Sequence, residues 1–247
     1  MMLNNIRVVL SHTSHPGNIG AAARAMKTMG LSQLYLVNPK RFPDAAAEAM
    51  ASGATDVLAN AVVCGSMEEA LQGAVLVVGL TARKRDLSHT MLTLREAAPQ
   101  ILGRANEAPV ALVFGTEMSG LSNAELEQCQ MLITIPVNPE YGSLNLGAAV
   151  QVVAYELRTS GVPTAPSASR FPLASFEDID QFYEHLERTL IAIDFLNPAR
   201  PKRLMTRLRR LFARAGLEKE EVNILRGILK AANRGRVSGA QVNEIVD

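Results

Sequence analysis

Cysteine is scarce in this chain. Cys64 and Cys129 are the only two among 247 residues, far apart and outside any Cys-x-x-Cys spacing, so neither a disulfide framework nor a thiolate metal site is expected, and a reduced cytosol is the simple setting. Tryptophan is absent, with only four tyrosines and seven phenylalanines, which argues against an aromatic stacking platform for single-stranded nucleic acid. No apolar run reaches the ~18 residues of a membrane span, and Met1-Met2-Leu3-Asn4-Asn5 lacks the basic end and apolar core of a signal peptide. A soluble, cytoplasmic protein without membrane contact is expected. There is no Gly-x-Ser-x-Gly elbow and no Walker loop, which weighs against hydrolase and nucleotide-triphosphatase chemistry. His12 and His15 are three apart but lack a third ligand at metal-site spacing, so no metal is expected.

What is present is a large apolar content, 48%, in a repeating order. Candidate strands are Ile6 to Leu10, Leu34 to Val37, Ala61 to Cys64, Ala74 to Gly79, Val110 to Phe114 and Met131 to Ile135. Helical patterns lie between them: Ile19 to Met29 stopped by Gly30, Ala45 to Ser52, Met67 to Leu71, Leu94 to Leu102 before Gly103, and Asn123 to Cys129. Strands that are apolar throughout and alternate with helices predict an α/β fold, a parallel sheet covered by helices on both faces. Ligands on such sheets bind at the carboxyl ends of strands, which points to the loops after Gly79, Phe114 and Ile135.

One stretch organises the rest. Met131 to Ile135 is a buried strand stopped by Pro136; Asn138, Pro139, Gly142 and Ser143 make a turn-rich loop; Leu144 to Tyr155 is apolar almost all round, as in a helix buried in a domain or subunit interface. By itself Ser143-Leu144-Asn145 is no more than a helix cap. Two further segments stand beside it: Pro16-Gly17-Asn18-Ile19-Gly20 running on to Arg24, and Phe114-Gly115-Thr116-Glu117-Met118-Ser119-Gly120-Leu121. Read singly, Asn18 is an N-cap, Arg24 an exposed helix arginine and Gly-x-Glu-x-x-Gly a weak pattern.

In this order, over residues 6 to 158, the three segments resemble the three motifs of the SPOUT (trefoil-knot) RNA methyltransferases. Within that family the bacterial tRNA ribose 2′-O-methyltransferases are the best match, and residues 175 to 232 resemble their C-terminal extension. The resemblance implies a trefoil knot, S-adenosylmethionine as methyl donor, and a homodimer in which one subunit completes the other's site. It implies cofactor contacts from Leu80, Thr81, Ala82, Gly115, Glu117, Gly120, Ile135, Ser143, Leu144 and Asn145, and a catalytic group of Asn18, Arg24, Glu117 and Ser143. A guanidinium effectively never loses its proton in a protein, so Arg24 is expected to hold a flanking phosphate and stabilise the developing alkoxide. Glu117 is expected to orient Arg24 or a ribose. The implied reaction is 2′-O-methylation of tRNA at the first nucleotide of the anticodon loop, a cytidine or uridine. A related enzyme acting on ribosomal RNA and a non-catalytic RNA-binding protein stay open. A dinucleotide-dependent oxidoreductase would share the α/β pattern, but Ser-His-Thr-Ser-His-Pro-Gly follows the first strand where Gly-x-Gly-x-x-Gly would be needed.

Residues 1 to 160 carry 11 basic and 13 acidic side chains, while the remainder carries 14 and 11, which makes the C-terminal part the better candidate for polyanion contact. Three divisions are expected: a methyltransferase domain at 1–160, a Pro- and Ser-rich linker at 161–174 and a helical extension at 175–247. A helix from Pro201 to Arg214 holds Lys202, Arg203, Arg207, Arg209, Arg210 and Arg214 without one acid. Lys202, Arg203, Arg207, Arg210 and Arg214, with Arg24, Arg83 and Arg85 of the first domain, are the candidate RNA contacts. The bland readings are a solubilising face for the helix and a solvated loop for Thr81 to Arg85.

Overall fold

Leucine, isoleucine and valine fill the strands of a seven-stranded sheet in the order β3-β2-β1-β6-β4-β7-β5. The strands are β1 (Ile6–Ser11), β2 (Gln33–Val37), β3 (Val62–Cys64), β4 (Leu76–Leu80), β5 (Met91–Thr93), β6 (Val110–Phe114) and β7 (Met131–Thr134), and each neighbouring pair is parallel. The computed structural model describes residues 2–82, 91–160 and 172–240. They fall into two units, Met1–Ala168 and Ser169–Asp247.

Central β1 and β6 are buried at every residue, as strands covered on both faces must be. Alternation assigns the faces. Ile6, Val8 and Leu10 pack with α1 (Pro16–Met29), α5 (Leu94–Glu107) and α7 (Leu146–Thr159) in the main core. Arg7 points the other way, towards α4 (Met67–Leu71), where its guanidinium donates to the carbonyls of Ala70 (2.7 Å) and Gln72 (2.9 Å) and lies 4.4 Å above the Tyr35 ring. Those carbonyls end a helix, so its dipole helps to hold the buried charge. Short helices α2 (Ala45–Ala51), α3 (Thr55–Ala59) and α6 (Asn123–Glu127) complete the first unit.

Several boundaries differ from expectation for identifiable reasons. Helix α1 begins at Pro16, because proline at the first position gives up only a donor that has no helical partner anyway. Helix α5 runs through Pro99 and Gly103 to Glu107, started by a Thr93/Glu96 capping box and held by the burial of Ala97, Ala98, Ile101, Leu102 and Ala105. Strand β5 was not expected, since three half-buried residues carry too little pattern. Helix α7 starts at Leu146, two residues later than expected, and buries one face only: Val152 and Tyr155 stay 37% and 54% exposed.

The second unit holds α8 (Phe176–Ala192), α9 (Leu204–Ala215) and α10 (Lys219–Ala240). Ser175 and Asp178 form the capping box of α8, and Phe182 meets the edge of Phe212 at 4.9 Å. Leu173 bridges Glu218, and Ala174 N donates to Leu217 O at 3.0 Å. Residues 173–174, expected in the linker, therefore belong to this unit; residues 161–171 lie outside the described residues. Among the described residues no helix is long and apolar enough to cross a membrane.

Candidate active site

Parallel strands in register bring their carboxyl ends to one edge: Leu10 pairs with Phe114, and Gly79 with Leu132. The loops leaving β4, β6 and β7 there enclose a cavity of about 490 Å³, floored by Leu146 and Ala149 of α7. That size suits a small organic cofactor. Nine of the ten residues expected at the cofactor line it: Leu80, Thr81, Ala82, Gly115, Glu117, Gly120, Ile135, Ser143 and Leu144.

The tenth, Asn145, does not. Its side chain accepts from Ala148 N at 2.7 Å and caps α7, so the cap reading holds for Asn145, while Ser143 is exposed at the cavity wall. Val137, Leu146 and Ala149 also line the cavity and were missed. Their only signal was proximity to the third motif.

The loop after β6 is folded tightly on itself. Thr116 N donates to Gly120 O (3.2 Å) and Gly120 N to Thr116 O (3.0 Å), with Gly120 at φ +69°. A Cβ on Gly115 would stand 2.1 Å from the Gly120 carbonyl carbon, so only glycine permits this approach. Every residue from Gly115 to Gly120 lines the cavity, where main-chain groups can meet a polar ligand.

Among the described residues Glu117 is the one charged side chain that lines the cavity. Its Oε2 accepts from Ser14 N (3.2 Å) and Ser14 Oγ (2.9 Å), and its Oε1 from His15 N (3.2 Å) and Asn18 Nδ2 (3.0 Å). Burial raises its pKa, but the hydrogen bonds from Asn18, its own backbone and Ser14 outweigh that and hold it at about 2. Four donors fill the roughly four acceptor positions of a carboxylate. Within the chain Glu117 is bonded to Ser14, His15 and Asn18 and not to Arg24, so it pins the loop between β1 and α1. Asn18, which read singly is an N-cap, sits inside α1 and works through Glu117; the cap residue is His15.

A second carboxylate from the same connection grips that loop, and sequence reasoning overlooked it. Glu125 accepts from the Ser11 hydroxyl and from Ser122 N at 2.6 Å, while Ser11 Oγ meets His12 Nδ1 at 2.8 Å. Burial raises the Glu125 pKa, but Ser11 and Ser122 bring it below the usual range. The Ser-x-x-Glu capping pattern at Ser122 to Glu125 was the available signal. Cys129, fully buried behind it, has its thiol pKa pushed up to about 12 by burial and by Glu125. It is therefore no nucleophile.

Arg24 is the ninth residue of α1, exposed and outside the cavity lining; its carbonyl accepts from Thr28 Oγ1 at 2.8 Å, and among the described residues its guanidinium has no hydrogen-bond partner. Arg83 and Arg85, and the neighbouring Lys84, lie outside the described residues. In the second unit, Lys202 (φ +52°) and Arg203 precede α9 and are not part of the helix. Arg207 and Arg214 are exposed on α9, whereas Arg210 is partly buried, its Nε without a partner. An acid does lie near this basic stretch: Asp180 of α8 stands 3.7 Å from Arg209, which also stacks 4.5 Å from the Tyr183 ring. Among the described residues no cluster of three or more His, Cys, Asp or Glu could hold a metal ion.

Comparison with known proteins agrees with this arrangement. Residues 177–242 match the tRNA methyltransferase TrmJ C-terminal domain. The chain is 50% identical over 237 residues to the tRNA (cytidine/uridine-2′-O-)-methyltransferase TrmJ of Pectobacterium atrosepticum, covering 94% of this chain and 98% of that one. It is 52% identical to the tRNA (cytidine/uridine/adenosine-2′-O-)-methyltransferase TrmJ of Pseudomonas aeruginosa, covering 92% and 93%. The crystal structure of TrmJ from Z. mobilis ZM4 superposes with a TM-score of 0.80 at 34% identity, covering 91% of this chain and 97% of that one. Residues 5–155, which hold the whole sheet and every cavity-lining residue, match the SpoU rRNA Methylase family, and it is to this family that the chain belongs.

Proposed function

We propose that the protein transfers the methyl group of S-adenosylmethionine to the ribose 2′-hydroxyl of a cytidine or uridine in tRNA, at the first nucleotide of the anticodon loop. The observation that carries this reading is the cavity whose three loops hold nine of the ten expected cofactor contacts, in a chain half identical to enzymes named for that reaction. The tRNA methyltransferase domain matched at residues 177–242 favours tRNA over ribosomal RNA. A tRNA substrate agrees with a cytoplasmic location.

The bound cofactor supplies a methyl group on a positively charged sulfur. The ribose oxygen would take that carbon, the neutral thioether would leave, and the hydroxyl proton would pass to water. The chain's own contribution is placement: backbone of the Gly115 to Gly120 loop at the donor, Ser143 at the wall, and Asn18 with Glu117 holding the acceptor loop. A carboxylate held near pKa 2 with every acceptor position occupied is a poor proton acceptor, and a guanidinium is no better. Arg24 acts on the flanking phosphate and the developing negative charge.

Arg24 is exposed and does not line its own subunit's cavity, and Val152 and Tyr155 are exposed on α7. Both facts support a homodimer in which Arg24 serves the partner's cavity and the free face of α7 is covered. Strand β7 lies between β4 and β5, and α7 returns onto α1 and α5, an arrangement that suits the trefoil threading implied by the family resemblance. The second unit, with Arg203, Arg207 and Arg214 exposed, contributes contacts to the tRNA backbone.

The test is transfer of labelled methyl to tRNA stripped of its modifications, followed by nuclease digestion and mass spectrometry. A 2′-O-methylated cytidine or uridine in the anticodon loop is expected. Label on ribosomal RNA alone, or on a base, overturns the reading. Sedimentation of the full chain is expected to show a dimer, and an active monomer would remove the assignment of Arg24 to the partner's cavity.

A further inference from the structure

The loop between β2 and α2 carries two cations that the catalytic reading leaves unused. Lys40 and Arg41 are exposed, separated only by the peptide bond and followed by Phe42, which packs against the core. Among the described residues Lys40 has no partner for its ammonium group. Arg41 has a loose one: its Nε lies 3.8 Å from Asp44, a carboxylate already capping α2 through Ala46 N at 2.8 Å. A solvated basic loop is the default for two such residues. Three features of this loop point elsewhere.

The loop leaves the sheet at the edge that bears the cavity, because β1 and β2 run parallel with Ser11 opposite Val37, and β1 and β6 with Leu10 opposite Phe114. It is also joined to the acceptor loop. Lys40 N donates to Thr13 O at 3.0 Å, and the adjacent Ser14 donates its amide and hydroxyl to Glu117, which lines the cavity. And it is held still. Asn38, at φ +44°, donates through its backbone to Cys64 O (3.1 Å) and through its side chain to Gly65 O (3.0 Å). Two cations with fixed roots, one hydrogen bond from the loop between β1 and α1, are placed as a phosphate contact is placed: they set register and do not read sequence.

We propose that Lys40 and Arg41 form a phosphate-binding ledge for the RNA strand that flanks the target ribose. The inference rests on the RNA substrate proposed above. Arg41, with its fork of donors, takes one phosphate in a bidentate grip, and Lys40 takes the neighbouring one as a point charge.

The test is binding of unmodified tRNA to the full-length protein by fluorescence anisotropy across a range of salt concentrations. Each single-strand phosphate contact contributes about 0.7 to the slope of log K against log salt. The double variant Lys40→Ala/Arg41→Ala is expected to flatten that slope by about 1.4, to raise KM for tRNA several-fold and to leave kcat and S-adenosylmethionine affinity unchanged. The swap Lys40→Arg/Arg41→Lys keeps both charges and is expected to keep the slope. Both side chains are exposed, so the melting temperature should not move, and circular dichroism confirms that. An unchanged slope with unchanged KM in the alanine variant overturns the ledge while tRNA methylation by the wild type still stands. Failure of the wild type to bind or methylate tRNA overturns both.

Discussion

Replacing Glu117 by glutamine is close to isosteric, yet it should be nearly as damaging as alanine. The carboxylate receives two donors on each oxygen, Ser14 N and Ser14 Oγ on one, His15 N and Asn18 Nδ2 on the other. An amide keeps one acceptor oxygen and presents hydrogens on the other side. Whichever way the introduced amide turns, one backbone N–H, that of Ser14 or that of His15, faces an NH2 group and loses its partner, and the bonds that remain lose the carboxylate charge. A hydrogen bond to a charged group contributes about 1.5–3 kcal/mol, and the site is only half-buried, so the lower end applies to each. The loss is about 2–3 kcal/mol in the placement of Ser14, His15 and Asn18. If that placement is needed in the transition state, kcat/KM for tRNA falls ~30- to 150-fold. The assay is steady-state methyl transfer at saturating S-adenosylmethionine, so that a change in cofactor affinity does not enter the comparison. A Glu117→Gln enzyme within about threefold of wild type would refute the clamp.

The same carboxylate gives a pH signature. Its pKa in the folded chain is about 2 against an ordinary 4.5, so its contribution to stability is fully present above about pH 4.5 and is lost as pH falls towards 2. The stability gap between wild type and Glu117→Ala should therefore be flat above about pH 5 and close on acidification; a gap that widens in acid contradicts the sign. Gly115→Ala places a Cβ 2.1 Å from backbone at Gly120 and should cost about 1–3 kcal/mol and at least tenfold in cofactor affinity, both read by thermal shift with and without S-adenosylmethionine. Asn145→Ala removes the α7 cap and should cost about 1 kcal/mol, while cofactor affinity stays within twofold because Asn145 is absent from the cavity lining; a tenfold loss with an unchanged melting temperature would reverse that assignment.

The fold was legible wherever pattern is dense. Strands β1 and β6 were read from apolar runs, which arise because both faces are covered. Strand β5 was illegible because three half-buried residues carry no period, and α5 ran past Gly103 because tertiary burial of its alanines overrode local propensity. At the site, motif residues indicated where the cavity lies but not who bonds to whom. That Glu117 serves Ser14, His15 and Asn18 is a contact across about a hundred residues, set by strand order and invisible to spacing. The pairing of Arg209 with Asp180 was hidden for the same reason, since the acid arrives from another helix.

Glu117 and Glu125 leave the sheet on one connection, and both close on the segment from Ser11 to Asn18. The connection after β6 and the segment from Ser11 to Asn18 are consequently tied together, and on the proposed reading they serve the methyl donor and the acceptor. A ligand that fixes either loop prepays part of the ordering of the other, and the favour is reciprocal in free energy whichever ligand comes first. Donor and acceptor sites joined in this way form a two-key lock, in which each key makes the other turn more easily by the same factor.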